Sequence, residues 1–404
     1  MRVLLLTPYP IRKPLVGGER RAAAIARAYE AAGHDVTTAG LYDPWFVKPD
    51  AVGPFDVPLG GEVHARMQEL DPHSEISRWR AIAEVDVVYD RFAAAARRAR
   101  ADLVQFEEPF CWFLARQLRA DGHTAGAPIV HSSYNFETTA QHELREAGAP
   151  ISDATLRDVA ALERRIAAEA DLVVTVSDGD AEAFRSIGAR RVIVAPNGTE
   201  ALSANARTAG IVARFFAHEP HALFVSSAHP PNAAGLLETV AQASGRAVLR
   251  EGLLLVAGDV SRLVRASPEW RRNQHVFART RLLGRIDDAV LAALYADARI
   301  VVLPKTKGGG SNLKTAEALV SGRPIAATRR AFEGFEAYAG EPGVYIANDG
   351  ADLWQHVADA LRNGAEAAPM PLRSVGGLLW PECLRPMVRA AEELAAAVRS
   401  PVAA

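Results

Sequence analysis

Between residues 300 and 328 the chain reads IVVLPKTKGGGSNLKTAEALVSGRPIAAT. An apolar run of strand length, Ile300 to Leu303, stops at Pro304, and three glycines in a row follow, Gly308, Gly309 and Gly310. A helical pattern then opens at Ser311 and Asn312, with Leu313, Ala316, Leu319 and Val320 on one face, and a second strand starts at Pro324. Such a unit presents backbone N–H groups and a helix N-terminus at the carboxyl end of a strand, where an α/β sheet binds phosphate. Lys314 adds a cation one turn into the helix. Glu317 lies three residues further on the same side, so both can address one ligand. The plainer alternative for Glu317 is a surface charge paired with Lys314.

Four other stretches carry chemistry-bearing residues. Gly17 and Gly18 follow the first apolar strand, with a helix expected from about Glu19. Two glycines let the backbone turn tightly and approach a ligand. The spacing is not GxGxxG, and no GxGxxG follows any other strand, which argues against a nicotinamide cofactor. Residues 131–137, HSSYNFE, pack polar side chains at a strand's carboxyl end. There His131 can donate to a substrate hydroxyl or leaving oxygen, and Asn135 and Glu137 can bind sugar hydroxyls. The bland reading is a buried His131 with Ser133 or Asn135 as a helix cap. After the strand ending near Val225 come Ser226, Ser227 and Asn232, candidates for phosphate contacts, with Asn232 as a possible cap. Arg285 is a phosphate contact or a solvated charge. Asp259 reads as a turn residue, and Glu333 with Gly334 as a crevice rim. No His/Cys cluster has metal-ligand spacing, so no metal is expected. Asp86 and Asp90 are expected to flank a strand from outside. GxSxG is absent, which removes the hydrolase elbow.

These residues need a scaffold of strands alternating with helices. Strand-type runs occur at residues 3–6, 36–41, 103–106, 128–131, 172–176 and 192–195, with helix-length segments at 20–32, 91–100, 110–119 and 155–170. After the Pro196-Asn197-Gly198-Thr199 break, a small, polar stretch at 203–210 suits a linker. A second set follows, with strands at 223–226, 253–257, near 276–283, 300–303, 324–327 and 344–346 and helices at 232–243, 287–296 and 311–320. Alternation of this kind makes parallel sheets covered by helices. The last segment, 382–399, has a stripe of Leu384, Val388, Ala391, Leu394 and Val398 that something must cover.

The totals agree with a globular protein of two domains: 404 residues, 49% hydrophobic, net charge −2 from 46 basic and 48 acidic residues. The balance argues against a general nucleic-acid binder. Two distant cysteines, Cys111 and Cys383, make no disulfide framework and fit a reducing, cytoplasmic compartment. No apolar run approaches the ~20 residues that span a bilayer. The opening MRVLLLTPYP reads as a buried strand rather than a signal peptide.

Several of these motifs, in order, resemble the retaining glycosyltransferases of the GT-B fold, in particular glycosyltransferase family 4. The likeness rests on Gly17-Gly18, on residues 172–177 followed by Val194-Ala-Pro-Asn-Gly198, on residues 224–232, on Leu283-Gly-Arg285 with residues 294–298, and on the glycine loop with Leu313-Lys314 and Glu317-Ala-Leu319. It implies an α/β protein of two Rossmann-like domains facing across a cleft. Residues 1–198 would bind the acceptor, 199–215 would link, 216–375 would bind the nucleotide-sugar donor, and a helix in 376–404 would cross back to the first domain. The expected reaction moves a sugar from a nucleotide sugar to an acceptor hydroxyl with retention and without a metal or other cofactor. His131, Lys314 and Glu317 would carry it. Gly17, Gly18, Ser227, Asn232, Arg285, Gly309, Gly310, Ser311, Asn312 and Leu313 would line the ligand. The family often has E-x7-E, and its first glutamate position falls here on Gly309, so that either the Gly309 backbone N–H takes the sugar contact or the donor is held differently. The resemblance puts Glu317 on the nucleotide ribose. An epimerase or phosphorylase of the same fold, or a silent nucleotide-sugar-binding subunit, is the alternative. Expected partners are the nucleotide sugar and a sugar, lipid-linked or small-molecule acceptor, with peripheral membrane contact as an open option and no nucleic acid.

Overall fold

Val3, Leu4, Leu5 and Leu6 are all wholly buried. Four consecutive buried residues require a strand covered on both faces, as in a parallel sheet flanked by helices. They lie in β1 (Arg2–Thr7), near the middle of a seven-stranded parallel sheet with β2 (Asp35–Tyr42), β3 (Val57–Pro58), β4 (Leu103–Glu107), β5 (Ile129–Ser132), β6 (Leu172–Thr175) and β7 (Val192–Val194). The strand order is β3-β2-β1-β4-β5-β6-β7. A second parallel sheet contains β8 (His221–Val225), β9 (Leu253–Ala257), β10 (Thr280–Gly284), β11 (Ile300–Leu303), β12 (Ile325–Thr328) and β13 (Val344–Ala347), in the order β10-β9-β8-β11-β12-β13. This computed structural model describes residues 1–70, 75–146, 149–216, 219–243, 249–307, 313–363 and 375–399.

The chain divides into two units, Met1–Pro196 with the chain from Cys383 onward, and Asn197–Glu382. In each sheet the order reverses between two central strands, β1 and β4 in the first and β8 and β11 in the second. Such a switch point splays the loops at the strands' carboxyl ends and leaves room for a ligand. The helix Trp380–Arg399 belongs with the first unit over most of its length. Cys383, Leu384, Met387, Ala391 and Ala395 are buried, Gln105 Nε2 reaches Met387 Sδ at 3.6 Å, and His34 Nε2 meets Glu392 at 2.9 Å. Val398, counted in the expected stripe, is 51% exposed.

Several local expectations are corrected. The stretch 203–210 does not stay irregular: a helix, Ala206–Phe215, starts there. Asn205 caps it by accepting from the Thr208 N–H at 2.8 Å, and Val212 is buried. Asp86 and Asp90 lie in a helix, Asp86–Ala99, rather than beside a strand. The first-unit glycine helix begins at Gly17 itself. Val276 and Phe277 are buried in the turn before β10, so their apolar run overstated that strand.

Candidate active site

In the second unit the chain leaves β8 as Ser226-Ser227-Ala228-His229 and enters the helix Pro230–Gln242. Asn232 does not cap that helix. Its side-chain amide turns back to the Ser227 carbonyl at 3.3 Å and hydroxyl at 3.4 Å, which holds the loop. Gly235, in the same helix, lies against the chain leaving β11: an added Cβ would be 2.3 Å from the Pro304 carbonyl oxygen. This contact, which no sequence motif flagged, sets the β8 loop beside the β11 loop at the switch point. Gly258, directly after β9, has φ +95°, and a Cβ there would come 2.1 Å from the Ser226 carbonyl oxygen. Only glycine combines that φ with that approach. Arg285, directly after β10, donates to Asp259 Oδ2 from Nε at 3.1 Å and also from Nη2. It is therefore a paired charge at the sheet's carboxyl edge rather than a free one.

Gly308, Gly309, Gly310, Ser311 and Asn312 lie outside the described residues. The helix that follows, Leu313–Val320, carries the two charged candidates in its first turns. Lys314 Nζ donates to both carboxylate oxygens of Glu317 at 2.8 Å. The Tyr295 hydroxyl donates to Glu317 Oε2 at 3.2 Å. Glu317 is only 6% exposed. Thr315, between them, donates to the Ala331 carbonyl at 2.5 Å, which fixes the helix to the segment after β12. A buried carboxylate needs such partners, because an unpaired one costs several kcal/mol. Leu313 is half-buried at the helix start. Glu333, the expected rim residue, pairs with Arg330 at 2.8 Å.

In the first unit, Gly18 lies under two tyrosines. Tyr9, after β1, and Tyr134, after β5, join hydroxyls at 3.0 Å, and the Tyr134 hydroxyl is 3.3 Å from the Gly18 carbonyl. A Cβ on Gly18 would meet Tyr9 Oη at 2.1 Å and Tyr134 Cε2 at 3.0 Å. Below them a polar core fills the β1–β4 switch point. Gln105 Nε2 donates to Glu107 at 2.7 Å, Tyr29 donates to Gln105 at 2.6 Å, and buried Arg21 donates to the Ala195 carbonyl at 3.0 Å. Burial pushes the Glu107 carboxyl up, and the Arg21 charge opposes that shift. Glu108, next in the chain, is half-buried with φ +60° and ψ 149°, a region almost reserved for glycine. Burial raises its pKa to about 8, and the charges of Glu137, Glu75 and Glu107 add to the shift. Glu108 and Tyr9 stand outside the motifs legible in the sequence, and Tyr134 is marked there only as part of the polar run 131–137. The Glu-Glu-Pro exit from β4 is the one local signal that could have marked Glu108.

His131 is corrected. Its ring is fully buried, stacked on Phe106 at 4.7 Å and edge-on to Phe184 at 5.7 Å. Burial lowers its pKa to about 3, so it is a neutral core ring. It is the last residue but one of β5 and its ring lies between Phe106 and Phe184; beyond the strand Ser133 is also buried, and Tyr134, Asn135 and Glu137 are half-buried. Those residues are held firmly. The Glu163 carboxylate accepts from the Glu137 N–H at 2.6 Å and the Thr138 N–H at 3.0 Å, Asp180 accepts from the Phe136 N–H at 2.9 Å, and Asn135 donates to Glu137 at 2.7 Å. Burial raises Glu163 to about 7. Among the described residues, no group of three or more His, Cys, Asp or Glu side chains could hold a metal ion, and no helix is long and apolar enough to cross a membrane.

Two doubly wound units, each with loops gathered at a switch point, define a two-domain α/β protein of the GT-B fold. The family model described as "Glycosyl transferase 4-like domain" matches residues 16–198, and "Glycosyl transferases group 1" matches residues 219–363. The chain belongs to these glycosyltransferases. Comparison with curated proteins finds no match. Among solved structures the chain is similar to sucrose-phosphate synthase from Thermosynechococcus elongatus, at 18% identity and TM-score 0.71, covering 98% of this chain and 100% of that one. It is also similar to Anabaena HepE in complex with UDP and glucose, at 15% identity and TM-score 0.70, covering 97% and 100%. An α,α-trehalose-phosphate synthase (UDP-forming) from Burkholderia xenovorans in complex with glucose-6-phosphate gives 15% identity and TM-score 0.63, covering 97% and 100%.

Proposed function

We propose that this chain transfers a sugar from a nucleotide-sugar donor, bound at the β8–β11 switch point, to an acceptor hydroxyl, with retention at the anomeric carbon and without a metal ion. The observation that carries this reading is the buried Glu317 carboxylate held by Lys314 and Tyr295 beside the β8 and β11 loops. A carboxylate with both oxygens in hydrogen bonds is the group that accepts the two hydroxyls of a ribose. On nucleotide binding the diol takes over contacts that Lys314 now makes, and the lysine turns to the diphosphate. The acceptor binds in the first unit, at Gly18, Tyr9, Tyr134 and the Asn135–Glu137 turn.

The bond from the anomeric carbon to the diphosphate oxygen breaks, and its electron pair stays on that oxygen. Lys314 and the N–H groups at the helix start stabilise the charge that develops. The acceptor oxygen forms the new bond on the same face, and its proton passes to the departing phosphate. Retention rests on the family likeness. HepE binds UDP and glucose, and uridine diphosphate is accordingly the first nucleotide to test. The absence of a disulfide framework supports a cytoplasmic setting.

Thermal shift against UDP, GDP, ADP, CMP and dTDP identifies the base, since a ligand at ~100 times its dissociation constant stabilises by about 2.7 kcal/mol. Nucleoside diphosphate release that depends on an acceptor and survives excess EDTA supports the reading. A strict Mg²⁺ or Mn²⁺ requirement removes the metal-independent step. Nucleotide binding with no turnover across a broad acceptor panel makes the chain a binding subunit instead, and an inverted anomer in the product removes retention.

A further inference from the structure

Two charged side chains of the first unit are sealed from water and have no part in the proposed transfer. Arg21 is 1% exposed and Glu107 0%. Both stand at the β1–β4 switch point. Arg21 lies one turn into the helix Gly17–Ala31, and Glu107 is the last residue of β4. Taking such charges out of water is costly, and apolar side chains of similar size often serve stability as well. What the two groups hold in place is therefore the question.

Glu107 gathers donors from two sides. Gln105 Nε2 donates to its Oε1 at 2.7 Å, and the Tyr29 hydroxyl donates to Gln105 at 2.6 Å, which fixes that amide. Burial pushes the Glu107 carboxyl up. The Arg21 charge opposes that shift, followed by hydrogen bonds from Gln105, Ser132 and Tyr134. Arg21 is anchored in turn, with Nη2 donating to the Ala195 carbonyl at 3.0 Å and Nη1 to the Pro196 carbonyl at 3.4 Å.

The direction of the hydrogen bonds above Glu107 follows from the groups that end the chain. Tyr134 has one hydroxyl proton. The two groups that can take it, the Gly18 carbonyl at 3.3 Å and the Glu107 carboxylate, only accept. The Tyr9 hydroxyl, 3.0 Å from that of Tyr134, must then donate to it. With its proton spent there, Tyr9 offers a ligand lone pairs alone. An amide in place of the Glu107 carboxylate can donate to Tyr134, and the chain then no longer has a fixed direction.

We infer that the buried Glu107 is a positioning residue that acts through Tyr134, setting the Tyr134–Tyr9 pair over Gly18 so that the Tyr9 oxygen accepts a hydrogen bond from the acceptor. The inference rests on the reading that the acceptor binds in the first unit. The acceptor group at that point is a donor, a hydroxyl or an amine. A phosphate or carboxylate there would face the lone pairs of Tyr9, with the Glu107 charge behind Tyr134.

The test has two arms. The first needs no ligand and compares urea midpoints of the parent, Glu107→Gln, Tyr134→Phe and the combined variant. The loss caused by Tyr134→Phe should be roughly halved or less in the Glu107→Gln background, because the two residues share one interaction. Equal losses in both backgrounds overturn the proposal. If Glu107→Gln does not fold, Arg21→Met/Glu107→Met takes its place in the cycle, since apolar replacement of buried charges together is commonly tolerated.

The second arm is turnover with UDP-glucose as donor and glucose, methyl glucoside and octyl glucoside as acceptor probes. Glu107→Gln should raise the acceptor KM about tenfold or more, with kcat within about threefold of the parent's. The dissociation constant of UDP should not change, because the nucleotide site is assigned to the second unit. Glu107→Asp keeps the charge and should recover part of the rise. A residue that only supports the fold lowers the active fraction, and with it kcat, at constant KM, and that result overturns the proposal. If the parent turns over none of the probes, the sugar transfer loses support and the urea cycle alone decides the role of Glu107.

Discussion

Lys314 Nζ stands 2.8 Å from both carboxylate oxygens of Glu317, one turn apart on the helix that follows the glycine loop. The two groups satisfy each other, with the Tyr295 hydroxyl as a further donor to Glu317. Glu317→Ala should weaken nucleoside diphosphate binding about ten- to a hundredfold, since charged hydrogen bonds are worth roughly 1.5–3 kcal/mol and about 1.4 kcal/mol is tenfold. Lys314→Ala should weaken diphosphate more than nucleoside. Isothermal titration of both variants with nucleoside, monophosphate and diphosphate separates the roles. Parent-like affinity for all three ligands in both variants would place the nucleotide elsewhere.

The Gly18 position has a second constraint, because an added Cβ would lie 2.1 Å from Tyr9 Oη. Gly18→Ala is expected to displace Tyr9 and lower the melting temperature, and Tyr9→Phe added to it should recover part of that loss. If the backbone at Gly18 also approaches the acceptor, turnover in the recovered double variant stays below that of Tyr9→Phe alone. Turnover equal to that of Tyr9→Phe alone would make Gly18 a packing residue only.

His131→Leu and His131→Ala test the core position. His131→Ala leaves a cavity between Phe106 and Phe184 and should cost about 2–4 kcal/mol of stability, with turnover per folded molecule close to the parent's. The pH dependence has a definite sign. Folded His131 titrates at about 3 against a reference of 6.5, so between those values the unfolded chain binds more protons. Its contribution to stability is lost as pH falls from 6.5 towards 3, at no more than about 1.4 kcal/mol per pH unit. Urea midpoints for parent and His131→Leu at pH 7 and pH 5 should diverge accordingly, the parent losing more on acidification.

Glu108 combines a strained backbone with a carboxyl raised to about 8. Glu108→Gly should raise stability by about 1 kcal/mol through release of the φ +60° strain. The raised carboxyl acts with the opposite sign to His131: its folded form holds a proton that the unfolded chain releases near 4.5. Between pH 4.5 and 8 the parent therefore loses stability relative to Glu108→Gln as pH rises. Denaturant midpoints at pH 5 and pH 8 read the difference. A Glu108→Gly chain that is both more stable and less active would mark the strain as functional.

The sequence alone was sufficient for the alternation of buried strands and helices, and hence for two parallel sheets, because burial on both faces leaves runs such as Val3–Leu6 and Ile300–Leu303 that periodicity can read. It also placed Lys314 and Glu317 on one side of one helix, since residues three apart are neighbours there whatever surrounds them. The helix hidden in 203–215 was missed because its signal is a single Asn205 cap on small residues. The pairs that build the sites were beyond reach for a different reason. Tyr9 meets Tyr134 across 125 positions, and Glu317 meets Tyr295 across 22. His131 heads a polar run like its neighbours, yet Phe106 and Phe184 close over it. Only the packing of sheet against helices decided which polar residue is sealed in the core and which stands at the edge.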